Sequence, residues 1–116
     1  MHREELLRLL DHYHPPTIAE AGNVVRTRHF VEQHEDCFQR ELLHGHVTGS
    51  AWVVNPARDK VLLMHHRKHN DWFQPGGHAD GDADILRVAL RETHEETGIP
   101  AENIKLVDGS IFDVDI

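Results

Sequence analysis

Positive charge is scarce in this chain: twelve Lys and Arg stand against twenty Asp and Glu, a formal net charge of −8. That balance excludes a bulk electrostatic attraction to nucleic acid or to an anionic membrane, and neither is expected as a partner. A phosphate-bearing ligand would meet a repulsive average field unless a local basic patch or a bound cation inverts it. Cysteine is scarcer still. Cys37 is the only one, so no intrachain disulfide can form, and a reducing, cytoplasmic setting is the expectation. Long apolar runs are missing too. AWVV and VLLM fall far short of the roughly 20 residues that span a bilayer. The opening MHREELLRLL puts acids where a secretory leader needs a basic and then an apolar stretch, so no leader is expected there. The chain has 116 residues, which bounds it at one domain.

What is abundant is histidine, with twelve. They are scattered, none makes a spaced metal pair with cysteine, and most read as surface residues. Residues 3–13 place Leu6, Leu10 and Tyr13 at helical spacing, and His14-Pro15-Pro16 stops that helix. Thr17 and Glu20 form a capping-box pattern for a second helix reaching about His34, with Gly22 and Asn23 as points of interruption. From His46 the texture becomes β-like. HVTGSAWVV and KVLLMHH flank the turn signal NPARD, which predicts a hairpin over 46–66. RKHNDWFQPGGHADGD then reads as loop chemistry broken only by Trp72 and Phe73. ADILRVALRETHEET reads as a helix with Asp82 as N-cap, Asp84 in the first turn, Gly98 just past the end and Pro100 beyond. IKLVDGSIFDVDI reads as a closing strand or hairpin.

Three carboxylates, Glu92, Glu95 and Glu96, crowd the C-terminal end of that last helix within roughly 100° of one another. The plain reading is a solvated acidic face with Arg91 paired to Glu95. It fits poorly. Glu92 and Glu96 are a like-charge i,i+4 pair, and negative charge in a last turn opposes the helix dipole by roughly 0.3–1 kcal/mol per group. Breaking two local rules at one place points to a site, and clustered carboxylates suit a hard divalent cation such as Mg²⁺. The glycines of PGGHADGD, just upstream, allow tight turning or a close backbone approach to a ligand.

Together these residues resemble the Nudix box, G-x5-E-x7-R-E-U-x-E-E-x-G-U, where U is a bulky apolar residue. Gly77, Arg91, Glu92, Glu95, Glu96, Gly98 and Ile99 fill seven of nine fixed positions over residues 77–99. Two positions depart: Ala83 stands where a glutamate is expected, among Asp80, Asp82 and Asp84, and Thr93 takes the apolar position after Arg-Glu. A neighbouring aspartate is a candidate to substitute for the missing glutamate. Thr93 keeps a β-branched methyl for packing.

The resemblance implies an α/β fold, an α/β/α sandwich with a mixed sheet, over residues 46–116, preceded by a helical extension, 1–45, that packs on it. It implies hydrolysis of the pyrophosphate bond of a nucleoside diphosphate derivative by water attack on phosphorus, assisted by Mg²⁺ or Mn²⁺. Carried over residue by residue, Glu92, Glu95 and Glu96 with the Gly77 carbonyl are the metal ligands. Glu92 or Glu95 orients or deprotonates the water, and Arg91 holds the glutamates by ion pairing. Trp72 and Phe73 are candidates to stack a base. Arg67, within HHRKH, and Gly76, Gly77 and His78 are the candidate phosphate contacts, and Arg40, His46 and Ser50 are further candidates for the pocket lining. A catalytically weakened nucleotide-binding or regulatory domain is the alternative, favoured by Ala83 and opposed by the intact RETHEE. Only 17 residues follow Ile99, and they end inside an apparent strand. The expectation is therefore a domain lacking its C-terminal part, or one whose sheet a second copy completes as a homodimer.

Overall fold

The computed structural model describes residues 2–116. Helix α1 spans Glu4–His12 and buries Leu6 and Leu10, one turn apart on its apolar face. Its end is extended backbone at Tyr13, where the following Pro15 and Pro16 cannot continue a helix. Helix α2 spans Ile18–Gln33, and the Thr17 hydroxyl accepts from the Glu20 N–H, one half of the capping box. Glu20 does not reach back to complete the box. Its carboxylate instead accepts from the Tyr13 hydroxyl at 2.5 Å. Gly22 and Asn23 pass without a break. Arg3, 5% exposed, donates to the carbonyls of Val31 and Glu32 at 2.9 and 3.0 Å. A cation there satisfies carbonyls of the last turn of α2, at the negative end of its dipole.

Strands β1 (Thr48–Ser50) and β4 (Gly76–His78) pair antiparallel, as do β2 (Met64–His66) and β3 (Asp71–Phe73). The expected hairpin over 46–66 is present at its tip: Val54 bridges Val61, and the Asn55 side chain accepts from the N–H groups of Asp59 and Lys60. Below the tip the pairing changes partners. β1 turns to β4, with Gly49 opposite Gly77 and Ser50 opposite Gly76, and β2 turns to β3. Two strands thus lie in the stretch that reads as loop.

Helix α3, Ile85–Thr97, lies chiefly on β1 and β4. Its N-cap is Asp84, whose side chain accepts from the Arg87 N–H, which corrects the expectation of Asp82. The Asp82 carboxylate is engaged with the Arg87 guanidinium instead. Gly98 ends the helix at φ 76°, donating to the His94 carbonyl, a left-handed conformation that costs a side-chain-bearing residue more. One 3₁₀ turn, Ala101–Asn103, follows.

Residues 104–116 hold no strand. Side chains of the helices hold this segment in place of a ladder: Tyr13 donates to the Phe112 carbonyl, Asn23 to the Val114 carbonyl, and the Val114 N–H to Glu20. Val114 enters a core made with Leu6, Leu10, Val31, Cys37, Phe38, Ala79 and Val88. Full burial of each Val, Leu or Phe contributes roughly 1.5–3 kcal/mol, so residues from both ends of the sequence stabilise one core. Helices and small antiparallel sheets together make an α/β fold. Among the described residues no helix is long and apolar enough to cross a membrane.

Candidate functional site

Two glycines facing each other across the β1–β4 ladder let α3 approach the strands. A Cβ on Gly49 would stand 2.9 Å from Val88 Cγ1 and 3.1 Å from the Ile85 carbonyl oxygen. A Cβ on Gly77 would stand 2.6 Å from the carboxyl carbon of Glu92. Val88, 0% exposed, anchors the helix over Gly49. One turn later Glu92 is laid over Gly77, its side chain 17% exposed. Thr93 is buried, and its hydroxyl donates to the Ala89 carbonyl at 2.7 Å. The polar atom is thereby satisfied within the helix, and the methyl packs as an apolar residue would.

Arg91 lies beside this carboxylate. Its Nη2 is 3.5 Å from Glu92 Oε1 and donates to the His78 carbonyl at 3.0 Å. Its Nη1 is 3.9 Å from Asp82 Oδ2. Arg91 therefore braces Glu92 against β4 and does not pair with Glu95. Glu95 and Glu96 are exposed and make no ion pair or hydrogen bond among the described residues. Two like-charged groups at a helix C-terminus are left uncompensated there. The carboxylate oxygens of these three glutamates are the ligands that hard cations such as Mg²⁺ prefer. The cradle over Gly77 presents one of them in a fixed place. Among the described residues no three acidic or imidazole groups are gathered closely enough to enclose a metal ion. Glu92 is positioned, and Glu95 and Glu96 stand on the next turn.

Around this centre the charges alternate. Arg40 donates twice to Asp80, at 2.8 and 2.7 Å, and that pairing holds the Asp80 carboxyl below its usual range. Asp82 is pushed down to about 2, first by the hydrogen bonds from Arg87 and then by the Asp84 N–H. His46 and His78 lie with ring centroids 5.0 Å apart, and His46 Nδ1 is buried without a hydrogen-bond partner. Gly76, Gly77, His78, Arg91 and Glu92 thus come together where β4 meets α3. Ser50 is opposite Gly76 and accepts from Gln74 at 2.7 Å.

The remaining candidates sit on the other ladder. Trp72 is 61% exposed on β3, edge-on to His65. Phe73 lies against His66 and His69. Arg67 is exposed in the β2–β3 turn. The structure does not bring these three onto α3. Two shallow depressions, of about 560 and 300 Å³, lie beside this region, one around Leu42 and Leu43 and the other around His2, Asp82, Ala83 and Arg87. Sequence reasoning missed Gly49 as the seat of α3; an isolated glycine inside a β-rich run is the signal that marks such close approaches.

The NUDIX domain family matches residues 45–114. Among curated relatives, the Bis(5'-nucleosyl)-tetraphosphatase [asymmetrical] of Mus musculus is 44% identical over 55 residues, 47% of this chain and 37% of that protein. The Probable DHNTP pyrophosphohydrolase of Lactococcus lactis is 37% identical over 57 residues, 48% of this chain and 34% of that protein. The m7GpppN-mRNA hydrolase NUDT17 of Xenopus laevis is 36% identical over 61 residues, 48% of this chain and 21% of that protein. The matched stretch spans well under half the length of each of these relatives.

Proposed function

The chain belongs to the Nudix family, and from that premise we propose that it hydrolyses the pyrophosphate bond of a nucleoside diphosphate derivative. The observation that supports this most is the carboxylate of Glu92 laid over Gly77, with Glu95 and Glu96 unpaired beside it. In this reading Glu92 and Glu96, with Glu95 and the Gly77 carbonyl, hold Mg²⁺ or Mn²⁺. The bound cation supplies positive charge that offsets the multiply anionic pyrophosphate in an otherwise repulsive acidic site.

The chain's own residues do the rest. Water oxygen bonds to one phosphorus, the bridging P–O bond breaks, and two phosphate-terminated products leave. The proton of the water passes to a carboxylate. Glu92, seated over Gly77, and Glu95, exposed on the next turn, are the two candidates for that task. Arg91 keeps Glu92 in register with β4. Arg40 and His78, near the same strand, are the candidates to meet phosphate oxygens. Trp72 and Arg67 would meet a base or a second phosphate only if the substrate reaches the β2–β3 ladder. Residues 46–116 form the catalytic unit in this proposal and 1–45 a helical extension packed on it, in the cytoplasm. A second copy covering the exposed Val107, Phe112 and Ile116 would make a homodimer, which light scattering tests.

The deciding experiment is a panel of nucleoside diphosphate derivatives, dinucleoside polyphosphates and capped nucleotides, with phosphate-bearing products assayed with and without Mg²⁺. Mg²⁺-dependent cleavage of at least one supports the reading. Saturable cation binding with no cleavage of any would favour the nucleotide-binding alternative.

A further inference from the structure

Position 83 carries alanine where the family pattern has a carboxylate, and the structure accounts for both halves of that exchange. Ala83 is half-buried and packs against the core around Leu6, Leu10 and Val88. It also borders the depression lined by His2 and Glu5 of the N-terminal segment. A glutamate here would add a charge at the edge of that core, in a depression that already holds Glu5, Asp82 and Asp84, which partial burial and repulsion disfavour. A carboxylate stands one residue earlier. Of the three nearby aspartates, Asp80 is bound to Arg40 and Asp84 caps α3. Asp82 is the one of the three that comes within ion-pair distance of the arginine of the box, at 3.9 Å.

Asp82, its side chain 17% exposed, lies between two guanidiniums. Arg87 donates to both its oxygens at 2.8 Å, and Arg91 Nη1 stands 3.9 Å from Oδ2. The Asp84 N–H donates to Oδ1 at 3.0 Å and fixes the carboxylate's direction. Arg87 and Arg91 are i,i+4 neighbours of like charge, which repel unless an anion sits between them. With Asp82 there, Arg91 can lean toward β4, donate to the His78 carbonyl and reach Glu92 at 3.5 Å. Without it, Arg91 loses the anion that stands between it and Arg87.

We propose that Asp82 is a positioning residue that takes the place of the glutamate missing at Ala83, anchoring Arg91 so that Glu92 stays over Gly77. This rests on the hydrolase reading above. The test compares wild type with Asp82→Asn, which keeps the hydrogen-bond acceptor for Asp84 and removes the charge, and with Asp82→Glu, which keeps the charge. The primary readout is the Mn²⁺ concentration giving half of the thermal shift, measured without substrate, with kcat and KM for hydrolysis beside it.

Loss of an outer partner of a metal ligand typically weakens metal binding on the order of tenfold or more, so Asp82→Asn should raise the half-saturating Mn²⁺ by about tenfold and lower kcat with KM little changed. Asp82→Glu should recover most of both. An Asp82→Asn variant that responds to Mn²⁺ as wild type does overturns the assignment. So does an Asp82→Glu variant that loses the Mn²⁺ response as fully as Asp82→Asn, which would assign Asp82 to the local turn before α3 alone. So does an Asp82→Asn variant that does not fold without cation, which would make Asp82 a folding residue. A wild type with neither cation response nor hydrolysis removes the hydrolase reading and this assignment with it.

Discussion

Gly76 and Gly77 are neighbours in one three-residue strand, yet alanine at each should fail in a different way. A Cβ at Gly77 would fall 2.6 Å from Glu92 Cδ and 2.8 and 2.9 Å from its two oxygens. Carbon contacts settle at about 3.5–4.0 Å, so the carboxyl must retreat by about 1 Å. It can do so, because it is the far end of a flexible side chain. The fold should therefore survive Gly77→Ala with a change within about 1 kcal/mol. Function should not survive, since a misplacement of about 1 Å at a reacting centre can cost on the order of 10²-fold. At Gly76 the added Cβ would meet Ser50 Cβ and, at 2.9 Å, the Gly49 carbonyl oxygen and Ser50 Cα. Backbone cannot rotate away, so Gly76→Ala should strain the β1–β4 ladder by about 1–3 kcal/mol or more. Urea denaturation of both variants, with half-saturating Mg²⁺ and hydrolysis for whichever folds, separates the two outcomes. A Gly77→Ala protein with wild-type cation response, or one that unfolds while Gly76→Ala stays folded, refutes the reasoning.

Glu96→Gln should nearly abolish hydrolysis and leave the cation-free protein as stable or slightly more so, because it relieves both the Glu92 repulsion and the unfavourable helix-end charge; a clear fall in cation-free Tm would contradict this. Ala83→Glu should destabilise the fold by about 1–3 kcal/mol by turning a carboxylate toward the core, read as a lower urea midpoint, and a raised midpoint would show that the site is open. Asp82 is held at about 2 against an ordinary carboxyl value of 3.8. A folded pKa below the unfolded one stabilises fully above about pH 4, and the contribution is lost as pH falls toward 2. Acid unfolding of Asp82→Asn should lack that part of the pH dependence, and an unchanged acid limb would argue against the ion pair.

The box helix was legible from sequence because its signals are local: an aspartate before Ile85, helical spacing of Val88 with Glu92, and Gly98 at the stop. Its cap was misplaced by two residues, since Asp82 and Asp84 are equally good cap formers and only the folded position of Arg87 decides between them. β3 and β4 were hidden for the opposite reason. NDWFQPGGH carries turn chemistry and no alternating pattern, and its strand character comes from β1 and β2, distant in sequence. The segment 104–116 misled through its β-branched residues. Its polar backbone groups are met by Tyr13, Asn23 and Glu20, which no local pattern could announce. The glutamates were readable as a cluster. That Glu92 alone is seated, and that Arg91 serves it instead of Glu95, depends on the approach of α3 to Gly77.

The tie between Glu20 and Val114, 94 residues apart, also bears on the order in which the chain takes shape. α1 and α2 are joined by a short connection and can meet early, because closing a short loop is fast and entropically cheap. What they cannot do early is finish. Val114 completes the core around Leu6, Leu10 and Val31, and it emerges from the ribosome after the strands and α3 have been made. During synthesis the helical pair must wait with part of its apolar face open, and the latest contact to form links the earliest elements to the last. The tie should accordingly be a late event in refolding, slowed little in rate by Glu20→Gln but released faster on unfolding.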